Sequence, residues 1–326
     1  MRHALTEESL DGAASAWHEW RRSLRWGSVF VLPAWLGAWW EVFGGDAELY
    51  LRSLRDGSTI VGFAPLAVNG ETACFVGDAD VCDYMDFVVA PGHEGGFFET
   101  LLDDLRADGI ERLDLGPVRP DSTVRTHLET IARSRGHKVL VRHKDVSLEL
   151  DLPDTWDEYL SLLKNRQRHE IRRKLRRLHE AGEVDHRCAG VGPELPDYLD
   201  EFLQLFSLSR DDKARFMTPK MVSFFRALAR SMAEIGLLRF GILELDGVTA
   251  AMTMGFDYDN RHYLYNSAYA PRFDQLSVGL LCKVLCIKES IEKGVWEWSF
   301  LKGSEPYKYQ LGGREVPLYR CRVDMV

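Results

Sequence analysis

From Glu48 onward the chain reads as apolar runs broken by turn residues. LYLRSLR predicts a strand, Asp56-Gly57 a turn and TIVGFAPLAV a second strand, because Asp-Gly between two such runs is a hairpin signal. TACFVG and YMDFVVA read as further strands, closed by Ala90-Pro91. A helix is expected at 95–107, stopped by Asp108-Gly109, and RLDLG follows as a strand. The same punctuation returns from Leu237. LLRFGILEL, Asp246-Gly247 and VTAAMTMGFDY predict a hairpin, and RHYLYNSAYA a third strand ending at Ala270-Pro271. A helix is expected at 277–292, stopped by Lys293-Gly294, and WEWSF is the next strand.

The matching marks keep similar offsets. Gly57 and Gly247 stand 190 apart, Pro91 and Pro271 180 apart, Gly109 and Gly294 185 apart. Three ordered matches imply an internal duplication with small loop changes. The stretch between the copies is helical. Thr155 and Glu158 form a capping box, followed by Trp156, Tyr159, Leu160 and Leu163 on one face. Next comes KNRQRHEIRRKLRRLHEAG, with Ile171, Leu175 and Leu178 on one stripe and Gly182 at its end. Two amphipathic helices follow, at 196–209 and from Thr218-Pro219 to about 235. The pattern gives an α+β fold of mixed, mostly antiparallel sheets flanked by helices, used twice. The expected domains are 1–150 and 151–326, the second carrying a basic helix at 164–181.

Composition narrows the class. The 326 residues are 45% hydrophobic and 28% charged, ordinary for a folded globular protein. A net charge of −9 makes the chain a poor general nucleic-acid binder, so no DNA is expected as a partner, although a local basic patch can still bind phosphate. The basic helix departs from that balance: Lys164–Arg177 holds eight Lys/Arg against the single acid Glu170. Such a run suits a phosphate-bearing substrate. No apolar run approaches the roughly 20 residues of a membrane span, and the charged N-terminus is no signal peptide. The six cysteines form no CxxC pair. Cys282 and Cys286 read as a thiol pair on a helix, so no metal is expected and the protein reads as reduced and cytoplasmic.

Candidate chemistry lies at strand ends. The junction from Ala270 into the second long helix offers free helix N–H groups for an anion, with Ser277 as N-cap, Gly279 permitting close approach and Arg272 adding charge. The loop Lys302–Arg314 contains Glu305 as a proton acceptor, Lys308 as a charge stabiliser and Tyr307 beside them. Asp83 and Asp86 bracket Tyr84 at the start of an expected strand, with Asp86 a second base candidate. Trp35 and Trp39 belong to an aromatic cluster that is either core and interface or a wall for a sugar or acyl group.

The order P-x-W-x3-W-W, GFAPLA, DYMDF, AP, the basic helix, S-x-G-L-L and F-L-K-G-x-E-P-Y-K-Y resembles the CelD/BcsL family of GNAT-superfamily acetyltransferases, and is similar to the FemABX peptidyltransferases. The resemblance runs from about Val31 to Leu318. It implies a tandem double GNAT-like fold with acetyl-CoA or another acyl-CoA as co-substrate. Ser277, Val278, Gly279 and Leu280 fall where GNAT proteins hold the donor pyrophosphate, although only one glycine of the usual motif is present. Lys308 matches the lysine of the FemABX motif. Asp83, Tyr84 and Asp86, with Trp35, Trp39 and Tyr307, fall toward the acceptor. The implied activity is acyl transfer to an amine or hydroxyl of a small-molecule, glycan or cell-envelope acceptor. The alternatives are aminoacyl transfer from tRNA and a non-catalytic scaffold in polysaccharide assembly.

Overall fold

The computed structural model describes residues 5–78, 80–190, 192–209 and 211–326. The chain forms two compact units. One runs to Val146 and takes in Val316–Val326; the other is Ser147–Glu315. The division comes a few residues earlier than the expected 150, and the final strand goes to the first unit instead of the second.

In chain order the first unit contains β1 (Leu5–Glu7), α1 (Leu10–Trp20), α2 (Pro33–Phe43), β2 (Glu48–Asp56), β3 (Thr59–Asn69), β4 (Thr72–Phe75), β5 (Val88–Val89), α3 (Glu94–Ala107), β6 (Arg112–Val118), α4 (Glu129–Ser134) and the start of β7 (Lys138–Asp151). The β2–β3 hairpin closes at Asp56 and Thr59, as the Asp-Gly turn requires. β4 and β6 pair in parallel, at Thr72 with Arg112 and Ala73 with Leu113. The expected strand YMDFVVA shrinks to Val88–Val89. Its earlier residues are held otherwise: the Met85 N–H donates to the Pro117 carbonyl at 2.8 Å, and Phe87 packs among Phe75, Phe97 and Phe98.

The second unit contains α5 (Trp156–Leu162), α6 (Asn165–Ala181), β8 (Val184–Ala189), α7 (Leu195–Ser209), α8 (Asp211–Phe216), α9 (Pro219–Glu234), β9 (Leu238–Leu245), β10 (Val248–Tyr258), β11 (Arg261–Tyr269), α10 (Val278–Glu292), β12 (Glu297–Lys302) and α11 (Pro306–Gln310). β13 (Arg314–Asp324) then pairs antiparallel with β6 of the first unit's own sheet. The sheet of the second unit runs β12-β11-β10-β9-β8, with Ser147–Asp151 of β7 antiparallel to β12. Strand alternation separates its two faces. Phe240 of β9 meets Phe202 of α7, whose ring stacks on Phe225 of α9; Gly241 on the opposite face meets α10.

Local signals set the helix ends. Thr155 and Glu158 form both halves of the capping box, and the Thr218 hydroxyl accepts from the Met221 N–H at 3.3 Å ahead of Pro219. The basic helix α6 buries Ile171 and Leu178 and packs against α10 and the 3-10 turn Pro271–Leu276. Among the described residues, no helix is long and apolar enough to cross a membrane.

Candidate functional site

The second unit holds a built-in opening between two parallel strands. β11 and β12 pair at only three positions: Arg261 with Glu297, His262 with Trp298 and Tyr263 with Ser299. Both strands then change register on their outer edges. Against β10, Leu264 faces Gly255 and Asn266 faces Met254, so Tyr265 is an extra residue. Against β7, Ser299 faces Glu149 and Leu301 faces Leu148, so Phe300 is extra. A bulge bends its strand and sharpens its twist. Two of them, just past the last shared pair, make the strands part. Leu301 takes φ 62 and Gly303 φ 105, which turns the chain out of β12.

α10 begins beside this opening. Ser277 occupies the N-cap but takes a left-handed φ of 56, and its hydroxyl makes no capping bond. The expected side-chain cap is therefore replaced by backbone: the Ser277 carbonyl accepts from Leu280 and Leu281 at 3.0 Å. As at any helix start, the N–H groups of Val278 and Gly279 lack intrahelical acceptors and carry the positive end of the dipole. Gly279 is needed for packing, since a Cβ there would stand 3.2 Å from the Tyr269 ring. No acidic residue lies in the first turn. Arg272 is exposed in the preceding turn, its guanidinium 4.8 Å from the Phe273 ring centre.

The loop after β12 supplies the charged groups. Lys308 is 2% exposed. Its ammonium donates to the carbonyls of Leu301 at 3.1 Å, Lys302 at 2.5 Å and Gly303 at 3.2 Å, and pairs with Glu305 at 3.0 Å. An ammonium has three N–H donors, so four acceptors use them all. In this conformation Lys308 stitches the turn and holds Glu305, whose side chain is about half exposed. Tyr307 is half-buried beneath them, and desolvation raises its hydroxyl pKa.

Sequence reasoning missed Lys283 of α10. It is 6% exposed, its Nζ donates to the Gly279 carbonyl at 2.8 Å, and it lies 4.8 Å from the Tyr307 ring centre. Burial pulls its pKa down to about 8. The available signal was a lysine four residues after Gly279 and four before Ile287, on the inward face of an otherwise apolar helix. Lys283, Glu305, Tyr307 and Lys308 thus gather within the second unit around the start of α10 and the end of β12.

One part of the opening is covered. The Ala270 N–H donates to the Ala250 carbonyl, so antiparallel alternation turns the N–H and C=O groups of Ser267 and Tyr269 away from β10. These groups are taken. Ser209 of α7 bonds both the Tyr269 N–H, at 2.8 Å, and the Tyr269 carbonyl, at 3.0 Å. The Lys213 ammonium of α8 donates to the Ser267 carbonyl.

The remaining expected residues lie in the first unit. Trp35 is fully buried, with its N–H 3.2 Å from the Cys82 sulfur and its ring edge-on to Phe30. Tyr84 is 4% exposed, against Phe30 and Arg119. Both are core. Trp39 donates to Asp78 at 3.0 Å, and Asp83 is half-buried. Asp86 accepts from the N–H groups of Phe87 at 2.9 Å, Thr123 at 2.7 Å and Val124 at 3.3 Å, and from the Thr123 hydroxyl at 2.7 Å. Burial pushes its pKa up to about 7, against the pull of these four donors. It caps the helical turn that starts at Val124.

Parallel strands that part beside a helix N-terminus, in a sheet of antiparallel hairpins, decide the fold. The chain has a tandem GNAT fold. Residues 165–309 match the family model "Acetyltransferase (GNAT) domain". No curated protein matches the sequence. Among solved structures, FemX is similar at a TM-score of 0.66 and 12% identity, over 97% of this chain and 96% of that one. The C-terminal domain of a protein described as a lysylphosphatidylglycerol synthetase, from Agrobacterium fabrum, gives 0.56 and 12%, over 84% and 83%. A tandem GNAT protein from the clavulanic acid biosynthesis pathway gives 0.50 and 13%, over 98% of both chains. At such identities the likeness is one of fold. The matched family model covers 145 of the 326 residues, and nothing in these matches singles out the CelD/BcsL family.

Proposed function

We propose that this chain transfers an acyl group from a phosphate-bearing carrier to an amine or hydroxyl of a glycan or cell-envelope precursor. The observation that carries the reading is the divergence of β11 and β12 after three pairs, next to the open first turn of α10. The carrier phosphates bind the Val278 and Gly279 N–H groups, helped by Arg272 and by α6. The acyl carbonyl enters the opening. The acceptor lone pair attacks the carbonyl carbon and the bond to the carrier breaks. The acceptor proton passes to Glu305, directly or through a water, and then to the leaving group. Protonated Lys283 supplies positive charge near the reacting carbonyl or the phosphates. Lys308 acts as a positioning residue that holds Glu305. Asp86 is left to capping.

Two carriers fit this scheme. An acyl-CoA would lay its amide groups along β11, where Ser209 and Lys213 already bond the backbone. That cover favours the second carrier, an aminoacyl ester of tRNA, which needs phosphate and carbonyl contacts but no ladder on β11. Among the similar folds, the domain described as a lysylphosphatidylglycerol synthetase carries a name that points to a phospholipid acceptor.

The test is a thermal shift with acetyl-CoA, free CoA and aminoacyl-tRNA, since a ligand that binds only the native state raises Tm. A rise with either carrier supports the reading and chooses between them. No rise with any of them leaves the scaffold alternative and overturns acyl transfer.

A further inference from the structure

A second group of side chains gathers farther along α10. Strand alternation puts His186 and Cys188 on one face of the edge strand β8. Cys286 and Glu289 stand on α10 at i and i+3, on one helical face. The two faces meet. The sulfurs of Cys188 and Cys286 lie 4.0 Å apart, both as free thiols. Gly241 explains the close approach. It stands opposite Cys188 in the β8–β9 register, and a Cβ there would lie 2.2 Å from the Cys286 sulfur. The glycine lets the helix sulfur settle onto the sheet beside Cys188.

Each sulfur has a proton acceptor. Cys286 Sγ is 3.5 Å from His186 Nε2, and His186 Nδ1 faces a Glu289 carboxylate oxygen at 3.8 Å. Burial lowers the His186 pKa, so the ring is neutral near pH 7. A proton on Nδ1, turned toward the carboxylate, leaves the Nε2 lone pair facing Cys286. That is the order of nucleophile, base and orienting group used to activate a thiol. The Cys188 thiol bonds Cys286 and Glu289; the Cys286 contact and burial raise its pKa, so the pair rests as two thiols. Access differs between them. Cys188 is half-buried at the sheet edge, whereas Cys286 is buried. Cys282 is buried too, and its thiol donates to the Gly241 and Ala251 carbonyls at 3.7 and 3.8 Å.

We propose that Cys188 and Cys286 are a modification site, oxidised by hydrogen peroxide to a reversible disulfide, with His186 taking the Cys286 proton. In the first step the Cys188 sulfur attacks a peroxide oxygen. The O–O bond breaks, Cys188 becomes a sulfenic acid, and the thiol proton leaves with the other oxygen as water. In the second step the Cys286 sulfur attacks the Cys188 sulfur. The S–O bond breaks, the S–S bond forms, and the Cys286 proton passes through His186 to the leaving hydroxide as a second water. The peroxide gains the two electrons that the thiols lose. A disulfide bond is about 2.05 Å long, so each sulfur moves by about 1 Å. The edge strand can give that much: among the described residues, β8 pairs only with β9. The link fastens β8 to α10, and the proposal does not rest on acyl transfer.

The test exposes the reduced, full chain to hydrogen peroxide, blocks the remaining thiols and maps its peptides without reductant. One linked peptide joining Cys188 to Cys286 within a single chain is expected, and dithiothreitol should reverse it. Cys286→Ser should stop at the sulfenic stage, caught on Cys188 by dimedone. Cys188→Ser should form no link, whereas Cys282→Ser should form it at the rate of the unaltered chain. His186→Asn should slow the link at least about 100-fold while dimedone-reactive Cys188 accumulates. Circular dichroism checks that each variant is folded. A link from Cys282 to Cys286, a link between chains, oxidation of Cys188 to sulfinic acid with no link, or an unchanged rate in His186→Asn overturns the proposal. So does an unaltered chain whose Cys188 and Cys286 thiols survive peroxide that fully oxidises free cysteine.

Discussion

The two units handle the same strand–helix junction in opposite ways. In the first, parallel β4 and β6 pair at two positions, and the segment after β4 then fills the space beyond. Met85 bonds Pro117, Phe87 enters an aromatic cluster and Asp86 caps the next helical turn. The start of α3 is occupied by its own chain: Glu94 lies in the first turn and accepts from the Gly92 N–H at 2.7 Å. In the second unit the strands part through paired bulges, and the first turn of α10 carries no acid. On the function proposed above, the second junction takes an anion because no carboxylate stands in its first turn. The first unit fills its junction with its own side chains; the second leaves the start of its helix without an acid.

The sharpest way to break this contrast is to give α10 the feature that α3 has. Gly279→Asp should cut carrier binding at least about 100-fold, through like-charge repulsion at the cradle. Gly279→Ala, which only crowds Tyr269, should cost much less. Titrations of carrier affinity on both variants check this, and equal losses would make the effect steric. Next in size is Lys308→Ala. Removing the ammonium strands three carbonyls and frees Glu305, so stability should fall by about 1–3 kcal/mol and turnover with it. Urea unfolding and kinetics read the two effects separately.

Lys283→Met sharpens the comparison through pH. The folded pKa of about 8 lies below the ordinary 10.5, so the unfolded state holds more protons between those values. Stability should therefore rise with pH across that window, by up to a few kcal/mol, and the variant should lose this slope. Urea unfolding between pH 7.5 and 10.5 gives the answer; an unchanged slope would remove Lys283 as its source. In the first unit, Asp86→Ala should cost about 1–2 kcal/mol by loss of the cap and leave turnover of the folded enzyme unchanged. A large turnover loss would return Asp86 to the list of bases. The smallest effect is expected from Arg172→Glu on α6, a few-fold weaker carrier binding that vanishes at high salt.

Much of this was legible in the sequence because turns and caps are local. The Asp-Gly hairpins, the Thr155–Glu158 box, the Thr218-Pro219 start and the glycine helix stops are each set by residues a few positions apart. The segment YMDFVVA, 84–90, forms a strand only at Val88–Val89, because the Met85 N–H bonds the Pro117 carbonyl and the Asp86 carboxylate takes the Thr123 N–H, partners beyond any local pattern. The bulges at Tyr265 and Phe300 that part β11 from β12 depend on register against neighbouring strands, which no local pattern records. Lys283 was hidden by position: charge on a helix usually faces solvent, and only packing shows this one turned inward. His186 and Cys188 lie about 100 residues from Cys286, so the approach of its sulfur to within 3.5 Å of the His186 ring and 4.0 Å of the Cys188 sulfur exists only in the fold.

The placement of β13 has a consequence for how the chain is made. The strand that bonds β6 belongs to the first unit, yet 169 residues of the second unit (147–315) are translated before it. Until then β6 presents an exposed sheet edge on the emerging chain, a template for wrong partners. Order of synthesis and order of completion are therefore reversed: the unit that starts first finishes last, and a fragment cut near residue 150 would carry that unsealed edge permanently.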